Sequence, residues 1–67
     1  MKRPDYYRPG TSVRVVLRDD PFTGRFGTVA STRNDAGDMV HRVEFGGGEW
    51  ATYLAPELRS RDGRGDA

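Results

Sequence analysis

Few side chains in this sequence could take part in catalysis. A nucleophile and base would have to be Ser12, Ser31 or Ser60 together with His41, the single histidine. His41 lies in a segment where apolar residues alternate, so its ring is expected to be at least half-buried and structural rather than to act as a base. We therefore predict that the protein is not an enzyme.

A metal or cofactor site is not expected either. There is no cysteine, so the available ligands are one imidazole and carboxylates in turns without an ordered spacing. The glycines at 46–48 could surround a phosphate with backbone N–H groups, but neither a helix nor a Gly-Lys-Ser/Thr sequence follows them. We interpret this run as a hairpin connection and predict no cofactor and no small-molecule substrate.

A basic and aromatic loop is the best candidate for recognition of a larger partner. Phe22, Arg25 and Phe26 lie among turn-forming residues. An arginine beside an aromatic ring can stack on bases or anchor in a protein pocket. Phe26 is expected to pack on the core. Phe22 faces a partner in one interpretation and packs on Tyr6 or Tyr7 in the other.

Charge is distributed unevenly along the chain. Residues 1–33 carry seven basic side chains against three acidic ones, whereas residues 34–67 carry four against seven. Arginine is well suited to bidentate contacts with phosphate or carboxylate groups. Trp50 is either the main core aromatic or an exposed anchor. The predicted partner-binding residues are Arg14, Arg18, Phe22, Arg25, Phe26, Arg33 and Trp50.

Short strands must position these side chains. Alternation of apolar and polar residues predicts strands over 12–17, 27–32, 39–45 and 49–54, and 55–58 resembles one helical turn with proline early in it. The inward face of the fourth strand is ambiguous between its two phases. The residues expected to be buried are Val13, Val15, Val29, Val43, Phe45 and Leu58.

The 67 residues allow one domain with a small core. We predict an extended N-terminal lead-in over 1–10, a barrel over 11–59 and a disordered, Gly- and charge-rich tail over 60–67. No apolar run is long enough to span a bilayer or to act as a leader, so a cytoplasmic protein without membrane insertion is expected. The predicted fold is all-β, a small five-stranded antiparallel SH3-like barrel with a short helical turn before the last strand.

The first half of the chain resembles a KOW-type element. The matching residues are P-G-T-S-V-R-V at 9–15 and P-F-T-G-R-F-G-T-V at 21–29. KOW elements lie in SH3-like barrels of transcription elongation factors and ribosomal proteins. The resemblance implies a non-catalytic binding module that contacts RNA, a ribonucleoprotein or a transcription machine through its basic and aromatic loop.

The second half resembles the SH3-like small subunits of photosynthetic electron-transfer complexes. The matching residues are F-G-G-G-E-W at 45–50 and L-A-P-E-L at 54–58. This resemblance implies the alternative function, a protein-docking accessory subunit of a larger complex, such as a redox complex, with no nucleic-acid contact. Both resemblances imply the same fold and a macromolecular partner.

Overall fold

The computed structural model describes residues 6–61 and consists of one antiparallel sheet. A one-turn 3₁₀ helix, Ala55–Glu57, precedes the last strand, and the strand order in the sheet is β4-β3-β2-β1-β5. The predicted all-β class, with five antiparallel strands and a short helical turn before the last, is confirmed. The strands are β1 (Ser12–Val15), β2 (Phe26–Asp35), β3 (Asp38–Gly46), β4 (Glu49–Leu54) and β5 (Leu58–Ser60).

No helix among residues 6–61 is long and apolar enough to cross a membrane. The predicted fourth strand has the observed bounds, whereas β2 begins one residue earlier than predicted and continues to Asp35. A β-bulge between Val29 and Ser31 interrupts the pairing of β2 with β3. The bulge changes the phase of the strand, so Val29 and Thr32 can both lie on the inner side of the sheet.

The core is formed by side chains of alternating strand positions, as expected for a sheet with one buried face. In β4 the inward phase is that of Ala51 and Tyr53, which resolves the ambiguity in that strand. Phe45 is only half-buried and packs against the edge of the core. The predicted burial of the other five residues is confirmed: Val13, Val15, Val29, Val43 and Leu58 are at most 1% exposed.

Phe26 does not pack on the core, and this prediction was wrong. Its side chain is 50% exposed because the neighbouring inward position is taken by Gly27. A Cβ atom at Gly27 would lie 2.7 Å from Val43 Cγ1 and 2.9 Å from Phe45 Cδ1. The core therefore leaves no room for a side chain at residue 27, and Phe26, in the opposite phase, is directed outward.

The N-terminal segment is attached to the core by His41, which is fully buried. The backbone N–H of Tyr7 donates to Nε2 of His41 at 2.8 Å, and Nδ1 of the same ring lies 3.0 Å from the carbonyl oxygen of Tyr53. Nε2 must accept, so Nδ1 carries the proton and donates to Tyr53. The Tyr7 hydroxyl also donates to the carbonyl of Leu58. Part of the predicted lead-in is thus a packed element.

The C-terminal boundary of the sheet lies beyond the predicted one at Arg59. Ser60 belongs to β5 and pairs with Val13, and the backbone N–H of Arg61 donates to the carbonyl of Ser12 at 2.9 Å. The rest of the predicted tail, 62–67, and residues 1–5 of the predicted lead-in lie outside the described residues.

Gly27→Ala should destabilise the protein by about 2–3 kcal/mol, because the added methyl group would overlap Val43, Phe45 and a backbone oxygen. Thr28→Ala, on the exposed side of the same strand, is the matched control and should cost less than about 1 kcal/mol. Urea denaturation of both variants measures the difference. Equal stabilities of the two variants would contradict the close packing at residue 27.

His41→Phe should destabilise the protein by about 2–4 kcal/mol, because it leaves the Tyr7 N–H and the Tyr53 carbonyl without their partner. Thr32→Val is the control, since it removes a single hydroxyl bond to the Tyr7 carbonyl and should cost about 1 kcal/mol. Denaturant midpoints report both changes. If His41→Phe cost no more than the control, the ring nitrogens would not hold the N-terminal segment.

Candidate nucleic-acid interface

The side of the sheet opposite the core carries arginines and exposed aromatic rings. Strand alternation directs these side chains outward, and the pairing of the strands places them in neighbouring rows. We call this surface the outer sheet face. It includes Ser12, Arg14, Phe26, Thr28, Arg33, Arg42, Glu44, Trp50, Arg59 and Arg61.

One row of the outer sheet face places two positive charges beside an aromatic ring. Arg14 in β1 is paired with Phe26 in β2 on one side and with Arg59 in β5 on the other. Like charges directly opposite each other on neighbouring strands destabilise a sheet. This row therefore costs stability unless an anion lies between the arginines.

No carboxylate among the described residues relieves this repulsion. The Arg14 side chain is exposed and makes no hydrogen bond, ion pair or ring contact within residues 6–61. Arg59 donates from Nη1 to the carbonyl of the preceding Leu58 at 3.2 Å, which leaves the rest of its guanidinium for other acceptors. The two side chains together can bind a phosphate or carboxylate group.

A second row crosses the sheet and begins at Trp50. In it, Trp50 in β4 is paired with Glu44 in β3, Glu44 with Thr28 in β2, and Thr28 with Ser12 in β1. The Trp50 side chain is 50% exposed, so it is not the core aromatic but the exposed one of the two alternatives. The outer sheet face thus carries a second aromatic ring, on β4, separated from Phe26 in β2 by the intervening strand β3.

An arginine lies over each of the two exposed rings. The guanidinium carbon of Arg42 is 4.0 Å from the centroid of Trp50, and that of Arg61 is 5.1 Å from the centroid of Phe26. Both distances are within the range of cation–π attraction. Each of the two rings therefore already has a planar cation over it.

Arg42 also approaches Glu44, two residues along the same strand. Its Nε atom is 3.4 Å from Oε2 of Glu44, an ion pair longer than a good hydrogen bond. Nε is buried and has no hydrogen-bond partner. Side chains of both residues are about half exposed, and an ion pair of this kind contributes little stability.

Phe22 and Arg25 belong to a different cluster at one end of the core. The rings of Phe22 and Phe45 are stacked with centroids 4.3 Å apart and planes 4° from parallel, and Arg25 lies 5.3 Å from each centroid. Arg25 also pairs with Glu49 at 2.9 Å. Phe22 therefore packs on neither Tyr6 nor Tyr7 but on a third aromatic residue.

The loop before this cluster is attached to β4 by Asp20. Its Oδ2 atom accepts from the Tyr53 hydroxyl at 2.6 Å and from the Phe22 N–H at 3.0 Å. Burial raises the pKa of the Tyr53 phenol, and the hydrogen bond to Asp20 raises it further. These hydrogen bonds hold the loop against the core, and Phe22 in this loop packs on Phe45.

The predicted partner-binding residues thus do not form one surface. Arg14, Phe26 and Trp50 lie on the outer sheet face, and so does Arg33, near the far end of β2 opposite Val40. Arg18, by contrast, follows β1 in the loop. Phe22 and Arg25 form the cluster described above. The residues missed were Arg42, Arg59 and Arg61, which could have been found from their phase opposite to Val43 and Leu58.

Within the described part of the chain, the side chains are not arranged as a catalytic or a metal-binding site. Both ring nitrogens of His41 are engaged with Tyr7 and Tyr53. No group of three His, Cys, Asp or Glu side chains within residues 6–61 could hold a metal ion. The outer sheet face, by contrast, carries basic and aromatic side chains in neighbouring rows.

Arg59→Glu should stabilise the free protein by about 0.5 kcal/mol at low salt, because an unfavourable pair with Arg14 becomes a favourable one. The gain should shrink as salt screens the charges. Arg33→Glu, whose neighbour across the strands is Val40, is the control and should give no such gain. Thermal denaturation at two salt concentrations measures both. Destabilisation by Arg59→Glu alone would contradict repulsion in this row.

Comparison with protein-family models, with curated proteins and with solved structures gave no match to this chain. The similarity to KOW elements and to photosynthetic small subunits therefore rests on the residues quoted for it.

Proposed function

We propose that this protein is a non-catalytic binding module that holds single-stranded nucleic acid, RNA in particular, on its outer sheet face. The observation that carries the proposal is the row formed by Phe26, Arg14 and Arg59. Two opposed arginines beside an exposed ring can bind the two parts of one nucleotide, since the arginines attract the phosphate anion and the ring stacks on the flat base. The fold does not need this arrangement, since it costs stability.

The charges of the surface favour a polyanion. Arg14, Arg42, Arg59 and Arg61 lie on the outer sheet face together with a single acidic residue of its named set, Glu44. The net charge of the whole chain is only +1, so this surface is considerably more basic than the molecule as a whole. Arginine forks match the geometry of phosphate oxygens.

The two rings favour a single strand over a duplex. Phe26 and Trp50 lie two strands and two residues apart, which places their Cα atoms roughly 12 Å from each other. An extended strand can stack one base on each ring, whereas the bases of a duplex are already stacked on one another. Stacking of this kind contributes about 1–3 kcal/mol per base.

The fold is consistent with the KOW-type resemblance, and we propose that the sheet is an SH3-like barrel of that kind. Five antiparallel strands with a 3₁₀ turn before the last are the features that the resemblance implies. The proposed surface differs from the expected one, because Phe22 and Arg25 pack against Phe45. The outer sheet face takes the place of the loop as the contact surface.

Binding of a fluorescein-labelled ten-nucleotide RNA, measured by anisotropy, should weaken with salt. We expect about three phosphate contacts and a slope of log affinity against log salt of about −2. The double variant Arg14→Ala, Arg59→Ala should lower the magnitude of the slope by about 1, and Phe26→Ala should weaken binding at every salt concentration.

The double variant Arg8→Ala, Arg18→Ala is the matched control, since it removes the same charge from exposed positions outside the strands of the sheet. It should bind RNA nearly as well as the unmodified protein. Absence of RNA binding at about 50 mM salt would overturn the proposal. If the outer-face variants then lost a protein partner instead, the docking-subunit alternative would hold.

A further inference from the structure

Trp50, Glu44 and Arg42 form a cluster whose chemistry goes beyond non-specific stacking. We propose that Trp50 and Glu44 are a subsite for one guanine base, which takes the place of the Arg42 guanidinium. This inference rests on the proposed function, because it assigns a base preference to one part of the outer sheet face.

The Arg42 guanidinium shows what kind of group this subsite accepts. It is planar, lies 4.0 Å from the centroid of Trp50, and has its Nε atom 3.4 Å from a carboxylate oxygen of Glu44. The site therefore holds a flat group with N–H donors, whose centre lies over the indole and whose Nε edge lies near the carboxylate. Any ligand that replaces it has to offer the same two features.

Among the four RNA bases, guanine reproduces this pattern. Its Watson–Crick edge presents the N1–H and the N2 amino group side by side, so it can donate two hydrogen bonds to one carboxylate, as a guanidinium does. Adenine and cytosine place a ring acceptor beside their amino group, and uracil has carbonyl groups on both sides of its N–H. A lone pair facing Glu44 is repelled, which disfavours these three bases.

The position of Glu44 supports a specific role. A carboxylate repels the phosphates that the surrounding arginines attract, so it weakens non-specific binding to this surface. It lies directly across from Trp50, where the edge of a base stacked on the indole would lie. A negative charge at this point weakens the binding of every nucleic-acid strand. Hydrogen bonds to the carboxylate offset this loss for a base with two adjacent donors.

Displacement of Arg42 is energetically feasible. Its ion pair with Glu44 is half exposed and is not a well-formed hydrogen bond, so little stability is lost when the side chain moves. The released guanidinium can stack on the outer side of the base or contact a phosphate. When the guanine base replaces the Arg42 guanidinium, the Glu44 carboxylate exchanges one planar donor for another and keeps a partner.

The test uses the intrinsic fluorescence of Trp50, the single tryptophan of the chain, during titration with RNA pentamers. The pentamers are UUGUU, UUAUU, UUCUU, UUUUU and UUIUU, where I is inosine, which lacks the 2-amino group of guanine. We expect quenching with each, with UUGUU binding about 10-fold more tightly than UUAUU and inosine in between.

Glu44→Gln should bring the five affinities within about twofold of one another while quenching persists, because the amide still allows stacking but no longer rewards two donors. Glu49→Gln is the matched control: this carboxylate is exposed, pairs with Arg25 and lies outside the cluster, so the guanine preference should remain.

Three outcomes would overturn the inference in different ways. Equal affinities for all pentamers in the unmodified protein, with quenching, would refute the guanine subsite and leave the proposed function standing. A guanine preference that survives Glu44→Gln would refute the role of this carboxylate. Absence of binding to every pentamer at about 50 mM salt would refute the proposed function and the inference together.

Discussion

The close approach of β2 to β3 at Gly27 determines the arrangement of both sides of the sheet. Val43, Phe45 and the Glu44 carbonyl oxygen lie so near that no Cβ atom fits at residue 27. Since side chains alternate along a strand, a core closed at Gly27 requires Phe26 on the opposite side. This packing places the Phe26 ring on the outer sheet face. The register of β1 with β2 then places Arg14 beside that ring.

The two sides of the sheet follow different physical rules. On the inner side, each described polar group of the N-terminal attachment has a partner, as in the bonds of His41 to Tyr7 and Tyr53. On the outer side, Arg14 faces Arg59 without a carboxylate between them. A small domain has few kcal/mol of stability to lose, and this unrelieved repulsion is the observation behind the proposed binding surface.

Alternation along the sequence predicted the strands and the valine core, because those signals are local. It misplaced Phe26, since a glycine gives no sign of which side it faces. The stack of Phe22 on Phe45 and the bond from Tyr7 to His41 join residues far apart in the chain, which local patterns do not report. For the site, Arg14, Phe26 and Trp50 were named from sequence, whereas the missed arginines, Arg42, Arg59 and Arg61, are brought beside them by strand register.

The most direct test of the account is a ¹H–¹⁵N correlation spectrum of the labelled protein titrated with a short single-stranded RNA. If RNA binds to the outer sheet face, the indole N–H of Trp50 and the backbone amides of Arg14, Phe26 and Arg59 should shift together along one binding curve. The amides of Phe22 and Arg25 should change little, because their side chains pack against Phe45. Shifts confined to Phe22 and Arg25, with Trp50 and Arg14 unmoved, would contradict the assignment of the outer sheet face as the contact surface.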